Sequence, residues 1–264
     1  MRINIDSSLC NGCLNCLNVC PHRVIEMDDN KKATVARHEI CIECAHCFSV
    51  CAQKAISVDF PYSKPGKSTA GLDMPTPEQV ENLILTRRSI RAYSKKEVEK
   101  KKIKKILRLA AHSASTHNNQ DVKYMVVGPD KAYQVEKLAG TYYKGLKDDL
   151  VGRITREAGF KILLGAPTTI TLYSEKSDDG EFNLPLWNCL IAAQTMLLTA
   201  QSMGIGGCYN GLLLWAYNQY PKLQEFFDVP EDKRIYMFVV LGYVKPSVKY
   251  LNIINRKGPD ILWI

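Results

Sequence analysis

Eight of the ten cysteines fall in two runs of one pattern, Cys10-x2-Cys13-x2-Cys16-x3-Cys20-Pro21 and Cys41-x2-Cys44-x2-Cys47-x3-Cys51-Ala52. Three thiolates separated by two residues can wrap a tight turn around one face of an iron–sulfur cubane, and the fourth cysteine of each run ligates the other cluster. The pattern specifies two [4Fe-4S] clusters. Cys10, Cys13, Cys16 and Cys51 are expected on one, and Cys41, Cys44, Cys47 and Cys20 on the other. A disulfide framework suits small secreted domains, whereas this chain of 264 residues carries no signal-peptide pattern. A zinc site takes four ligands in two pairs, not two sets of four at this spacing.

The elements that must position these thiolates form an internal repeat of 31 residues, Cys10 mapping to Cys41 and Cys20 to Cys51. Each half opens on an alternating stretch, Ile3–Ile5 and Thr34–Ala36. Each closes on a short apolar strand, Val24–Met27 and Ala55–Val58. Two such units facing each other account for the crossover of the fourth ligand. Residues 1–60 resemble bacterial-type ferredoxins. Three prolines and two glycines over residues 61–76 read as a linker, leaving 77–264 as a second domain large enough for its own core.

Charge is uneven. Residues 1–60 hold 6 basic and 7 acidic residues, while the remainder holds 29 basic and 20 acidic, a net of +9. Much of that excess lies in Lys95–Lys105, which reads as a helix opened by a Ser94/Glu97 capping box, with Ile103, Ile106, Leu107 and Ala110 inward and lysines in solvent. No nucleic-acid module accompanies it, and no apolar run approaches a membrane span. Thr76-Pro77-Glu78-Gln79 opens another helix, with Val80, Leu83 and Ile84 on one face. Strands are expected at Tyr124–Val127, Thr168–Tyr173 and Tyr236–Leu241. Leu186–Met203 is apolar on nearly every side, which marks a buried or interface helix. The expected class is α+β.

After the first of these helices stands Arg87-Arg88-Ser89-Ile90-Arg91-Ala92-Tyr93, a dense set of phosphate donors. Next come Ser113-Ala114-Ser115-Thr116-His117-Asn118-Asn119-Gln120 before a strand, then Gly204-Ile205-Gly206-Gly207-Cys208-Tyr209-Asn210-Gly211, and finally Gly242 with Arg256-Lys257. In this order the four landmarks resemble the nitroreductase family of FMN enzymes. Ser115, Asn118 and Gln120 match its second motif, while Ala114, Asp121 and Val122 stand where Pro, Pro and Trp are usual.

The resemblance implies Arg87, Ser89, Arg91 and Arg256 near the FMN phosphate, and Arg88 at the phosphate or the pyrimidine edge. It places Ser115, Asn118 and Gln120 on ribityl or isoalloxazine groups. Tyr209, Asn210 and Gly211 fall where the backbone approaches flavin N5 and O4. It also implies an interlocked homodimer with FMN at the interface, which the Leu186–Met203 helix and the tail Ile261-Leu262-Trp263-Ile264 would help to cover. No side chain is singled out as catalytic; His117 reads as a loop histidine, with proton donation to substrate as the alternative. Cys189 and Cys208 read as packing residues. Trp215 and Tyr217 are placed either at a substrate pocket or in core or interface packing.

Together these features describe an FMN- and iron–sulfur-dependent oxidoreductase in a reducing cytoplasm. Electrons would pass from the clusters to FMN and on to a small organic acceptor such as a nitro compound or quinone. The donor is a ferredoxin, a flavodoxin or NAD(P)H. A flavin-fragmenting or dehalogenating relative on the same fold, and a redox sensor or electron-storage protein without turnover, are the alternatives.

Overall fold

The computed structural model describes residues 2–61, 66, 68–146, 150–157, 159–177 and 182–263. Residues 62–65 and 67 of the expected linker, and Ile264 of the tail, lie outside them. The chain divides into two compact units, Met1–Met74 with Thr116–Gln120, and Pro75–Ser115 with Asp121–Ile264.

The first unit contains β1 (Ile3–Ile5), α1 (Asn15–Asn18), β2 (Ile25–Met27), β3 (Ala33–Val35), α2 (His46–Ser49) and β4 (Ile56–Val58). Three-residue strands cannot stand alone, and here each pairs across the repeat. The opening strand β1 runs antiparallel to the closing strand β4 of the other half, with Ile3 opposite Val58, and β2 pairs β3, with Ile25 opposite Val35. Ile3, Ile25, Ala33 and Ile56, the first residue of each strand, are buried with Val24 and Phe60. The repeat extends to the backbone. Left-handed conformations recur 31 residues apart at Gly12 and Glu43 (φ 72° and 54°), Leu14 and Ala45 (68° and 58°), and Arg23 and Lys54 (50° and 53°). Gly12 has no tolerance for a side chain, because a Cβ there would sit 2.5 Å from the Lys31 carbonyl oxygen.

The second unit runs α3 (Pro77–Thr86), α4 (Lys100–Ala110), β5 (Lys123–Val127), α5 (Pro129–Gly145), α6 (Leu150–Thr155), β6 (Thr168–Glu175), α7 (Leu184–Ser202), β7 (Gly206–Tyr209), α8 (Gly211–Gln219), α9 (Pro221–Phe227) and β8 (Lys233–Gly242). Its sheet has the order β5-β6-β8-β7 and is antiparallel throughout. On β8, Tyr236, Val239 and Leu241 join the core made with α4 and α7, while Ile235, Phe238 and Val240 join the core made with α5, α8 and α9. A strand covered on both faces explains its nearly continuous apolar run.

The Thr76 capping box forms as expected: Thr76 accepts from the Gln79 amide while the Gln79 side chain accepts from the Thr76 amide. The second capping box does not. Tyr93–Ser94 instead pairs with the chain after β8, Ser94 N–H donating to the Tyr243 carbonyl, and α4 starts only at Lys100. Tertiary pairing outweighs the local cap. Ile103, Ile106 and Ala110 then face inward as the periodicity requires.

Candidate functional site

Two cavities in the first unit gather the eight repeat cysteines. One is lined by Cys10, Cys13, Cys16 and Cys51, the other by Cys20, Cys41, Cys44 and Cys47. The swapped strand pairing produces this crossing, because each half's closing strand follows its fourth cysteine and lies beside the other half's opening strand. Four thiols line each cavity, which fits a cubane, whose four irons each take one.

Backbone amides point at four of the sulfurs. Val24 N–H donates to Cys20 Sγ and Ala55 N–H to Cys51 Sγ, both at 3.3 Å, and Ala33 and Glu43 donate to Cys10 and Cys41, both at 3.4 Å. Such donors stabilise thiolate charge and tune the potential of a bound cluster. Burial pushes the Cys47 thiol up to about 11 and raises Cys16 and Cys41 as well. Cluster loading must therefore displace protons from these three thiols.

In the second unit the arginine motif lies along the edge of the sheet. Ser89 bridges Gly207 on β7 in parallel, and Ile90 N–H donates to the Gly207 carbonyl at 3.1 Å. This places Arg87, Ser89 and Arg91 about Cys208 and Tyr209. Burial raises the Cys208 thiol, while the Arg91 and Arg87 charges and a hydrogen bond with Ser89 oppose the rise. Burial likewise raises the Tyr209 hydroxyl against Arg87. Among the described residues no carboxylate pairs with Arg87 or Arg91. Two unneutralised guanidiniums and a hydroxyl on one edge suit a phosphate. Gly206 makes the close approach possible, since a Cβ there would meet Ile90 Cγ1 at 2.6 Å.

The other sequence candidates are placed differently. Arg88 donates to the carbonyls of Leu85, Arg87 and Asn252, so its guanidinium closes α3 and ties down the C-terminal segment. Arg256 lies exposed on that segment. Asn210 caps α8 by accepting from Leu213 N–H at 2.9 Å and donates to the Ile162 carbonyl at 2.8 Å, and its own amide donates to the Phe238 carbonyl, so this residue is committed within the fold. Gly211 has open space where a side chain would be. Asn118 and Gln120 belong to the first unit: Asn118 Nδ2 donates to the carbonyls of Ile42 and Glu43, and Gln120 Nε2 to Asn118 Oδ1. Cys189 and Cys208 are buried, and Tyr217 packs on Phe227 and Phe238 in the core, whereas Trp215 is exposed.

Sequence reasoning missed Asp121, whose carboxylate accepts from the buried Ser174 hydroxyl at 2.6 Å and the buried Asn188 amide at 2.8 Å. Its signal was the departure from the family pattern immediately after Gln120. It also missed strand β7, hidden in a glycine-rich run.

Fold and site thus define an eight-cysteine module joined to an α+β unit whose sheet edge carries Arg87, Ser89 and Arg91. The nitroreductase family model matches residues 84–243, and the 4Fe-4S dicluster domain model matches residues 2–52. The chain belongs to the nitroreductase family, with an N-terminal dicluster ferredoxin domain. A relative from Archaeoglobus fulgidus, named for NADH dehydrogenase/NAD(P)H nitroreductase, is 26% identical over 189 residues, 69% of this chain and 95% of that protein. A nitroreductase from Bacteroides fragilis with bound FMN has the same fold, with a TM-score of 0.61 at 21% identity, covering 70% of this chain and 98% of the other. An FMN-bound nitroreductase from Desulfitobacterium hafniense gives 0.59 at 22% identity over 69% and 97%.

Proposed function

We propose that the chain is an FMN- and iron–sulfur-dependent oxidoreductase passing electrons from two [4Fe-4S] clusters to FMN and on to a small organic acceptor such as a nitro compound or quinone. The observation that carries this reading is the presence in one chain of two four-cysteine cavities and the unneutralised Arg87/Ser89/Arg91 edge of a nitroreductase-family sheet. When bound, the clusters supply one-electron storage and the flavin converts single electrons into two-electron reduction. Cys10, Cys13, Cys16 and Cys51 hold one cluster, and Cys20, Cys41, Cys44 and Cys47 the other. Arg87, Ser89 and Arg91 hold the FMN phosphate. The backbone at Tyr209–Gly211 offers close approach without a side chain at Gly211. Tethering keeps the cluster module at high effective concentration beside its acceptor.

A homodimer belongs to the same proposal. On α7, Trp187, Leu190 and Ile191 are 42%, 38% and 45% exposed, and Leu251, Ile253, Ile254, Leu262 and Trp263 stand exposed on the C-terminal segment. A second copy would cover these exposed apolar side chains. Eight cluster thiolates require a reducing compartment such as the cytoplasm; among the described residues no helix is long and apolar enough to cross a membrane.

The test is anaerobic purification followed by iron and flavin counts, sedimentation, and reduction by each donor in turn. About eight iron and one flavin per chain are expected, in a dimer whose flavin is reduced by a low-potential one-electron donor through the clusters. Near-stoichiometric zinc, or no flavin at micromolar concentration, would overturn the assignment. Equal donor-driven turnover by NAD(P)H in a cluster-free variant would remove the clusters from the path.

A further inference from the structure

The excess charge of residues 61–264 is concentrated in one short stretch. Residues 95–108 hold seven lysines and Arg108 against Glu97 and Glu99, a net of +6 out of +9. Helix α4 sorts them by face. Ile103, Ile106 and Ala110 are buried in the core shared with α7, whereas Lys100, Lys101, Lys104, Lys105 and Arg108 are exposed. At the helical rise these five form a stripe about 12 Å long on the outer face. Lys95, Lys96 and Glu97 stand exposed just before the helix. The inner edge of the region satisfies itself. Lys102 Nζ donates to the Tyr243 hydroxyl at 2.7 Å, that hydroxyl donates to Glu99 at 2.6 Å, and Lys96 lies 4.3 Å over the Tyr243 ring. Glu99 is thereby taken. Among the described residues the five cations of the stripe make no ion pair.

Helix stability does not ask for this arrangement. Lys100 and Lys104, Lys101 and Lys105, and Lys104 and Arg108 stand four residues apart, where like charges repel. The first turn of α4 has no acidic residue, although the helix dipole favours anions there and disfavours Lys100 and Lys101. The face also lacks apolar contact surface: between residues 86 and 125 no large apolar side chain is exposed. Exposed Trp187, Leu190 and Trp263 on α7 and the C-terminal segment have the opposite chemistry. Permanent interfaces deplete charge at their centres. A wholly charged surface suits an encounter that is steered, brief and wet, as electron-transfer complexes are. A second copy of this face would be repelled by its own charge. A bilayer would find no apolar side chain to take up. Nucleic acid favours arginine forks and stacking aromatics, whereas residues 95–108 hold one arginine and no aromatic. Lysine ammoniums, strongly hydrated point charges, fit the carboxylates of an acidic protein.

We propose that the lysine face of α4, with Lys95 at its start, is the docking surface for a small acidic electron-carrier protein that reduces this chain. The inference rests on the proposed redox function and names the partner it requires. Each encounter moves one electron: the carrier is oxidised by one, a cofactor of this chain is reduced by one, and no bond is made or broken. Two encounters supply one two-electron reduction of the acceptor. Charge sets the rate at which carrier and chain meet, and the absence of apolar contact lets them part between electrons.

The experiment uses full-length holoprotein with iron and flavin counted first and reduction by methyl viologen radical confirmed. Failure at either step counts against the proposed function and not against this inference. Loaded protein is then mixed anaerobically in a stopped-flow instrument with a reduced, strongly acidic plant-type [2Fe-2S] ferredoxin. The second-order rate should fall on the order of tenfold as salt rises from about 50 to about 500 mM. A variant combining Lys100→Glu, Lys101→Glu, Lys104→Glu and Lys105→Glu should be slower on the order of tenfold or more at low salt, and its rate should no longer fall with salt. Its reduction by viologen radical should match wild type. Its thermal midpoint should not drop, since acidic residues in the first turn and the loss of like-charge pairs favour the helix. Should the charge reversal not fold, the four lysine-to-glutamine changes should give a smaller slowing of the same kind. No reduction of loaded wild type by the ferredoxin, or equal ferredoxin rates in wild type and variant, would overturn the proposal. Equal slowing with viologen radical would do so too, because the lysines would then act on the cofactors. Salt-sensitive binding of a 20-base-pair DNA duplex or of phosphatidylglycerol vesicles, lost in the variant while its ferredoxin rate is kept, would assign the face to that partner instead.

Discussion

Gly206→Ala is the sharpest test of how the sheet edge builds the anion site. The new methyl would lie 2.6 Å from Ile90 Cγ1 and 3.0 Å from its Cβ and Cγ2, where carbon atoms normally meet at about 3.5–4.0 Å. Neither partner is free to move. Ile90 is buried at 4% exposure and its amide is bonded to Gly207, while Gly206 is paired to Gly242 on β8. Relief must come from shifting the Arg87–Arg91 strand by roughly 1 Å, a distortion that costs about 1–3 kcal/mol in a packed core. The shift carries Arg87, Ser89 and Arg91 with it, so FMN affinity should fall by on the order of tenfold.

The reasoning predicts non-additivity. Ile90→Ala alone leaves a cavity and costs about 2–5 kcal/mol. It also removes Cγ1 and Cγ2, two of the atoms that the methyl added at position 206 would strike. In the double variant that methyl fills part of the space vacated, so the combined loss should be smaller than the sum by about 1–2 kcal/mol. Urea unfolding followed by circular dichroism, with FMN titration by fluorescence quenching, reads both effects. Additivity within about 0.5 kcal/mol, or unchanged FMN affinity in Gly206→Ala, would refute the close-approach account.

Arg87→Ala and Arg88→Ala should separate cleanly despite adjacency. The first should weaken FMN by tenfold or more, the loss of a charge-assisted contact worth about 1.5–3 kcal/mol, with iron unchanged. The second, whose guanidinium bonds carbonyls of the chain itself, should lower the thermal midpoint more than the flavin affinity. Asp121→Ala takes a charged acceptor from the buried Ser174 hydroxyl and the buried Asn188 amide and should cost about 2–4 kcal/mol, measured by urea unfolding. Glu99 is held down to about 2, chiefly by the Tyr243 hydroxyl that donates to it and secondarily by its own amide. A depressed carboxylate stabilises the fold above its unfolded value of 4.5 and loses that contribution as pH falls toward 2. Wild type and Glu99→Gln should therefore differ in thermal midpoint at pH 6 and converge on acidification.

What was legible in the sequence followed from short-range rules. The cysteine repeat displays its own symmetry, and the four first-unit strands appear within a residue of their expected positions because each carries an apolar residue that only the strand pairing buries. The Thr76 cap and the central strands were equally readable from local chemistry. The misses share one cause, which is pairing between distant segments. Ser94 gave up its cap role to bond Tyr243, and β7 formed from glycines because Ile90 and Leu197 occupy the space that side chains would need. Arg88 looked like a phosphate donor by composition, and only the position of Asn252 reveals that the C-terminal segment claims it.

The same long-range logic gives the departures from the family pattern a physical reading. A proline after Gln120 would fix the backbone but offer no side-chain donor or acceptor. Asp121 fixes the loop differently, by lodging a carboxylate between Ser174 on β6 and Asn188 on α7. That anchor lies on the side chain, so the backbone just before it is free to take the left-handed turns at His117, Asn118 and Gln120. Those turns aim the Asn118 amide at Ile42 and Glu43 rather than along its own strand. Asp121→Pro should therefore destabilise the sheet unit, because it removes the acceptor shared by Ser174 and Asn188. Amide protection should fall around both residues, read by hydrogen exchange. Unchanged protection there would mean that the carboxylate does not tie β6 to α7.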